Sequence, residues 1–157
     1  MCDAVRFWQY RATGDLVELA PLSKQSGTPL WVALRFLLDA VLTGRLPVTP
    51  ASNLFFYAGR NTDSTRKVRF EFVKTHFDQI VELLGDSMFS GRGQLPNVGL
   101  GFCDAQSKSE LQSFFEPRLG QLVGAPRVLA HVLEGIDQCI AIKAEQEPSV
   151  TSFLEKQ

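Results

Sequence analysis

The chain has 157 residues, 45% apolar and 21% charged, with sixteen Lys and Arg set against seventeen Asp and Glu. A chain of this length suits one domain and can hide roughly 70% of its unfolded surface, so its core needs no covalent staples. The composition excludes disorder, collagen and coiled-coil rods. A net charge of −1 leaves no basic excess for the phosphates of nucleic acid or for an anionic membrane surface.

The opening Met1-Cys2-Asp3 carries an acid and no apolar run, so no secretory leader is expected and the chain reads as soluble. The longest apolar stretch, Pro29 to Leu46, is interrupted by Arg35, Asp39 and Arg45 and does not suit a membrane span. Within it Leu30, Leu34, Leu37, Leu38, Val41 and Leu42 fall on one helical face. Pro29 opens that helix, and Gly44 and Pro47 stop it. A shorter apolar run, Leu54 to Ala58, ends at Gly59.

The next stretch starts ambiguously, because Val68 to Phe72 alternates as a strand would. The longer window settles it: Phe70, Val73, Phe77, Ile80 and Leu84 step by 3, 4, 3 and 4, a spacing that only a helix places on one side. One continuous helix is predicted over 66–84, with Thr62 or Asp63 capping its start and Gly85 its end. Residues 85–99 hold four glycines and read as the main loop. Ser107-Lys108-Ser109-Glu110 has capping-box spacing and opens a helix with Leu111, Phe115 and Leu119 on one face, which Pro117 should kink or shorten. Pro126 opens the cleanest helix, with Leu129, Val132, Leu133, Ile136 and Ile140 as its stripe. Pro148 opens a last short one with Val150, Phe153 and Leu154. The reading is all-α, with short connections that favour antiparallel neighbours. A bundle and stacked helix pairs fit equally well.

The search for chemistry is mostly negative. Neither His76 nor His131 begins a His-Glu-x-x-His pair. His131 and Cys139 share a helical face but lie about 12 Å apart, too far to hold one ion. The three cysteines Cys2, Cys103 and Cys139 are few and odd in number, and are expected as reduced, half-buried thiols. A nucleophilic Cys103 with either histidine has no local support. Gly91-Arg92-Gly93 lacks the Lys-Ser/Thr of a phosphate loop. The paired phenylalanines read as helix-packing residues rather than as a base-stacking platform.

One resemblance carries more. Gly59-Arg60-Asn61, followed by Val68-Arg69-Phe70-Glu71-Phe72-Val73 and Thr75-His76-Phe77-Asp78-Gln79-Ile80, resembles a stretch in the C-terminal helical domain of aminopeptidase N-like zinc peptidases. The tail agrees in order and gaps: Phe102-Cys103-Asp104, then Glu110-Leu111 with Phe114-Phe115, then Arg127, then Leu133-Glu134-Gly135-Ile136 and Ser152-Phe153-Leu154. The match covers residues 50–155 and departs from the family where Phe70 and Phe77 stand for tryptophans and His76 for asparagine. It implies a single helical domain over 1–157, with 1–48 as N-terminal helices and 49–157 as family-matching repeats. It also implies helix pairs stacked in a curved HEAT/armadillo-like layer. The family's zinc-binding helix and its substrate-gripping Gly-Ala-Met-Glu-Asn stretch are not in this sequence. The implied function is therefore a non-catalytic cap on the substrate chamber of a parent aminopeptidase, with a free-standing helical-repeat interaction module as the alternative. No cofactor is expected in this chain and no catalytic residue carries over; zinc belongs to the parent's catalytic domain. The implied partners are that catalytic domain and, indirectly, peptides. Arg60 and Arg127 match family positions as peptide-facing or structural residues. Apolar residues left for the catalytic domain to cover are expected among Phe7, Trp8 and Trp31.

Overall fold

The computed structural model describes residues 30–45, 62–85 and 91–155. These residues form helices α1 (Leu30–Leu42), α2 (Asp63–Thr75), α3 (Phe77–Leu84), α4 (Ala105–Phe115) and α5 (Ala125–Leu154). Two 3-10 helices, Arg92–Gly99 and Glu116–Gln121, fall between α3 and α5. The described residues contain no strand, so the chain is all-α there. Phe7, Trp8, Cys2, Pro47, Arg60 and the run Leu54–Ala58 lie outside them.

Helix α1 buries Leu34, Leu37, Leu38 and Val41, the stripe read from the sequence. Gly44 closes it at φ +70°, its N–H donating to the Val41 carbonyl. A left-handed residue just past a helix is where glycine costs least. Trp31, near its start, remains 43% exposed.

Helix α2 starts as predicted. The Thr62 side chain accepts the Thr65 N–H, with Asp63 in the first turn and Lys74 in the last, both favourable to the helix dipole. The helix does not run unbroken to residue 84. His76, at φ −115° and ψ 23°, separates α2 from α3. The cause lies in the apolar pattern itself. Phe70 and Phe72 are both buried although residues two apart point to nearly opposite sides of a helix. Helix α2 is therefore covered on two sides, by α1 and by the first 3-10 helix. Helix α3 buries the single stripe Phe77, Ile80 and Leu84. The break lets that stripe be aimed separately, and Phe77 packs edge-on against Phe114 and Phe115. Gly85 ends α3 at φ +69°, as its position suggested.

The end of the glycine-rich stretch read as a loop belongs to the core. Leu95, Pro96, Asn97, Val98 and Gly99 of the first 3-10 helix are all buried. Gly85 and Gly91 turn the chain at positive φ, whereas Gly93 and Gly99 serve close approach. A Cβ on Gly99 would lie 2.3 Å from Leu111 Cδ2, and one on Gly93 2.1 Å from the Val123 carbonyl oxygen. Arg69, itself fully buried, donates from Nη2 to the carbonyls of Val98 at 2.7 Å and Leu100 at 3.2 Å. Arg92 Nε donates to the Val81 carbonyl at 2.7 Å. Two side chains thus satisfy buried or half-buried carbonyls that would otherwise cost about 1–3 kcal/mol each.

Helix α4 begins before the expected capping box. Asp104 is its N-cap: Oδ1 accepts the Ser107 N–H at 2.8 Å and Oδ2 the Ser107 hydroxyl at 2.7 Å. A carboxylate offers two acceptors at once, and it takes Ser107 as a donor instead of leaving it as a cap. Glu110 accepts from Gln106. Pro117 does end the α-helix, which tightens into the second 3-10 helix at Glu116. The Arg118 guanidinium donates to the Phe114 carbonyl and lies 4.2 Å from the Phe114 ring centroid.

Helix α5 starts with Pro126 in its first turn, after Gly124 at φ +85°. It buries Ala125, Leu129, Val132 and Ile136, with Leu133 and Ile140 half-buried. It then runs straight through Pro148 to Leu154, so the separate last helix expected there is part of α5. From Ala141 onward every described residue is exposed. In that setting water can take the Ala144 carbonyl that proline leaves without an N–H partner.

The cysteines also differ from expectation. Cys103 and Cys139, 36 positions apart and both half-buried, form a disulfide with a Cα–Cα distance of 5.3 Å. No local pattern announces a pair this far apart. The bond ties the residue before the α4 cap to the last half-buried turn of α5.

Candidate functional site

Two surfaces merit attention as sites. The first is a cleft of about 290 Å3 between α1 and α2, lined by Arg35 on one side and by Lys67, Glu71, Phe72, Thr75 and His76 on the other. Phe72 forms the buried floor, and the His76 ring lies against it, tilted by 41° at 4.5 Å between centroids. Thr75, Glu71 and His76 are each engaged by backbone or by a neighbouring side chain. The Thr75 hydroxyl donates to the Glu71 carbonyl at 2.8 Å, and Lys74 Nζ lies 2.5 Å from Glu71 Oε1. His76 Nδ1 meets Gln79 Oε1 at 3.0 Å. A nucleophile needs a base within hydrogen-bond reach, and Thr75 and His76 are each committed elsewhere. The cleft is a groove with two cations at its rim, not an assembled catalytic pair.

The second surface is the arm of α5 beyond Ile140. Ile142, Val150, Phe153 and Leu154 are 52–64% exposed on it. At 100° per residue, Val150 and Leu154 continue the stripe that Leu129, Val132 and Ile136 bury inside the body. Phe153 and Ile142 widen it to one side. Glu145, Glu147 and Glu155 outnumber Lys143 among the described charges of the arm. The face that packs on one side of the boundary thus emerges bare on the other.

The residues singled out from the sequence do not converge. Arg60 lies outside the described residues. Arg127 is exposed on the first turn of α5, where the positive end of the helix disfavours a cation. It does not cap a helix end through carbonyls, the role an arginine beside a helix C-terminus would take. His76 and His131 sit on different helices, and His131 is exposed. Among the described residues no group of three or more His, Cys, Asp or Glu is placed to hold a metal ion. The donor chemistry points the same way: Cys103 and Cys139 hold each other, so neither is a thiolate for a metal or a nucleophile for catalysis.

The acidity of Asp104 is shifted. The Ser107 N–H and then the Ser107 hydroxyl hold its carboxyl below the ordinary value of 3.8, against an opposing effect of burial and with a lesser contribution from the charge of Lys67. That is the signature of a helix cap, not of an acid–base catalyst. Among the described residues no helix is long and apolar enough to cross a membrane.

The arm is the surface that sequence reasoning found only in part. Val150, Phe153 and Leu154 were legible as a helical face, but their exposure was not. The signal for it is the polar interruption Lys143-Ala144-Glu145-Gln146-Glu147 between two apolar stretches of one helix. Compared with known proteins, the chain matches no family model, no curated protein and no solved structure.

Proposed function

We propose that this chain is a non-catalytic helical domain that works by docking onto a protein partner through the arm of α5. The single observation that carries the reading is the bare continuation of a core stripe: Ile142, Val150, Phe153 and Leu154 stand in solvent on a helix whose first half is sunk in the body. Contiguous exposed apolar side chains on a folded domain mark interaction surfaces. An amphipathic helix laid into an apolar groove is a recurrent way to use them.

The resemblance names the partner. It is the catalytic domain of a zinc aminopeptidase, whose substrate chamber the helices cap as antiparallel pairs in a curved layer. Support comes from the roles of the matching residues: Phe70, Phe77, Phe102, Phe114 and Phe115 pack together edge-on, as positions kept for packing should.

The test is reconstitution. The chain is mixed with a zinc aminopeptidase catalytic domain that lacks its own helical domain. Association is followed by light scattering, and hydrolysis by comparing a short aminoacyl amide with a long peptide. A one-to-one complex that slows the long peptide more than the short amide is expected, and Val150→Glu with Phe153→Glu should abolish it. No association, or association indifferent to those substitutions, rejects the reading. The chain alone should cleave neither substrate.

A further inference from the structure

We infer that the Cys103–Cys139 disulfide is a redox latch that holds the root of the α5 arm, so that a dithiol reductant loosens the arm and leaves the body folded. The inference rests on the arm being the docking surface only for its biological use; the latch itself is a property of the free chain.

Position is the first argument. Ile136 is the last fully buried residue of α5 at 2% exposure. After it come three ties to the body: Asp137 with Lys108 Nζ at 2.6 Å, the disulfide at Cys139, and half-buried Ile140. The ion pair is exposed, a setting in which such pairs contribute little, and Ile140 is only partly covered. The disulfide is the strongest tie beyond Ile136.

The second argument is what lies past it. The span 141–154 is about 21 Å of helix, exposed at every residue. Isolated helices of this length are marginal in water. This one contains Pro148, followed by Ser149, Val150, Thr151 and Ser152, all poor helix formers. A covalent anchor at Cys139 fixes the turn from which the arm propagates. Without it the helix has little to stop it fraying back toward Ile136.

The third argument separates a latch from a structural staple. Cys103 precedes the α4 cap, so cutting the bond leaves the Asp104–Ser107 hydrogen bonds in place. Ala125, Leu129, Val132 and Ile136 are buried in the same apolar cluster as residues of α1, α2, α3 and α4, and that burial holds this half of α5 when the bond is cut. Both cysteines are half-buried and within reach of a small thiolate. The exchange balances. One thiolate of the reductant attacks a sulfur, the S–S bond breaks and a mixed disulfide forms. The reductant's second thiol then displaces it, leaving two protein thiols and an oxidised, disulfide-bonded reductant.

The experiment is amide hydrogen exchange on the whole chain, oxidised and then reduced with dithiothreitol, in a Cys2→Ser background so that only the pair titrates. A Cys103→Ser, Cys139→Ser variant repeats the reduced state without reductant. In the oxidised protein no thiol should be open to alkylation. Reduction should speed exchange of amides from Asp137 to Glu147 by roughly tenfold or more, and leave those of α2 and residues 129–136 unchanged. Two free thiols under oxidising conditions, equal exchange in both states, or loss of protection throughout the chain on reduction would each overturn the latch. Docking is read separately, by association with the catalytic domain, so either idea can fail alone.

Discussion

The two halves of α5 share one helix and one apolar stripe but live in different solvents. From Ala125 to Ile136 the stripe is in the core; from Ala141 to Leu154 it is in water. Periodicity cannot distinguish them, because it reports which side of a helix is apolar and not whether anything covers it. Stability belongs to the first half, and it is to the second that we assign recognition. Between them stand an ion pair, a disulfide and a half-buried isoleucine.

Substitution along the stripe is the most direct way to break this contrast. Ile136→Ala should cost about 2–5 kcal/mol in urea unfolding, through lost transfer energy and a residual cavity. Leu154→Ala, five turns further along the same stripe, should stay within about 0.5 kcal/mol. Equal costs would mean that the arm is covered after all.

Pro148 sharpens the comparison. Pro148→Ala should restore a hydrogen bond to the Ala144 carbonyl and strengthen the arm locally by up to about 3 kcal/mol. Slower amide exchange over residues 145–154 checks this, with the unfolding midpoint of the body unmoved. A shift of that midpoint would show the two halves to be coupled.

Asp104 tests the boundary more gently. Asp104→Ala should cost about 1 kcal/mol, the worth of an N-cap. The acidity of Asp104 also sets a pH dependence. Its folded-state value is lowered below 3.8, so its contribution is fully present above that value and is lost as pH falls through the lower folded value. Asp104→Asn should flatten the acid limb of stability against pH while keeping most of the cap. An unchanged limb would remove Asp104 from the account.

Much of the helical content was legible because it is locally coded. The α1 and α5 stripes, the Thr62 cap, the Gly85 stop and the Pro117 break each rest on a few neighbouring residues. The misreadings share one physical feature, dependence on partners far away in sequence. Gly93 and Gly99 look like turn residues until Val123 and Leu111 press against them. His76 breaks a helix because opposite sides of α2 are both covered. Asp104 pre-empts Ser107 by offering two acceptors. Cys103 finds Cys139 across 36 residues. For the site, the apolar residues of the arm were visible, whereas their exposure depends on where the body stops. Arg60 and Arg127 entered through resemblance alone, and Arg127 is exposed at the surface.

The grip of Arg69 on the first 3-10 helix has a kinetic consequence. The carbonyls it holds are 29 and 31 positions downstream, and a 3-10 run of this length has poor hydrogen-bond geometry of its own. That segment can settle only after α2 is in place and α5 has arrived to wall it in. It should therefore be a late passenger in folding, added to a nucleus built elsewhere. A blemish within it, such as Gly99→Ala, should hasten unfolding far more than it delays refolding.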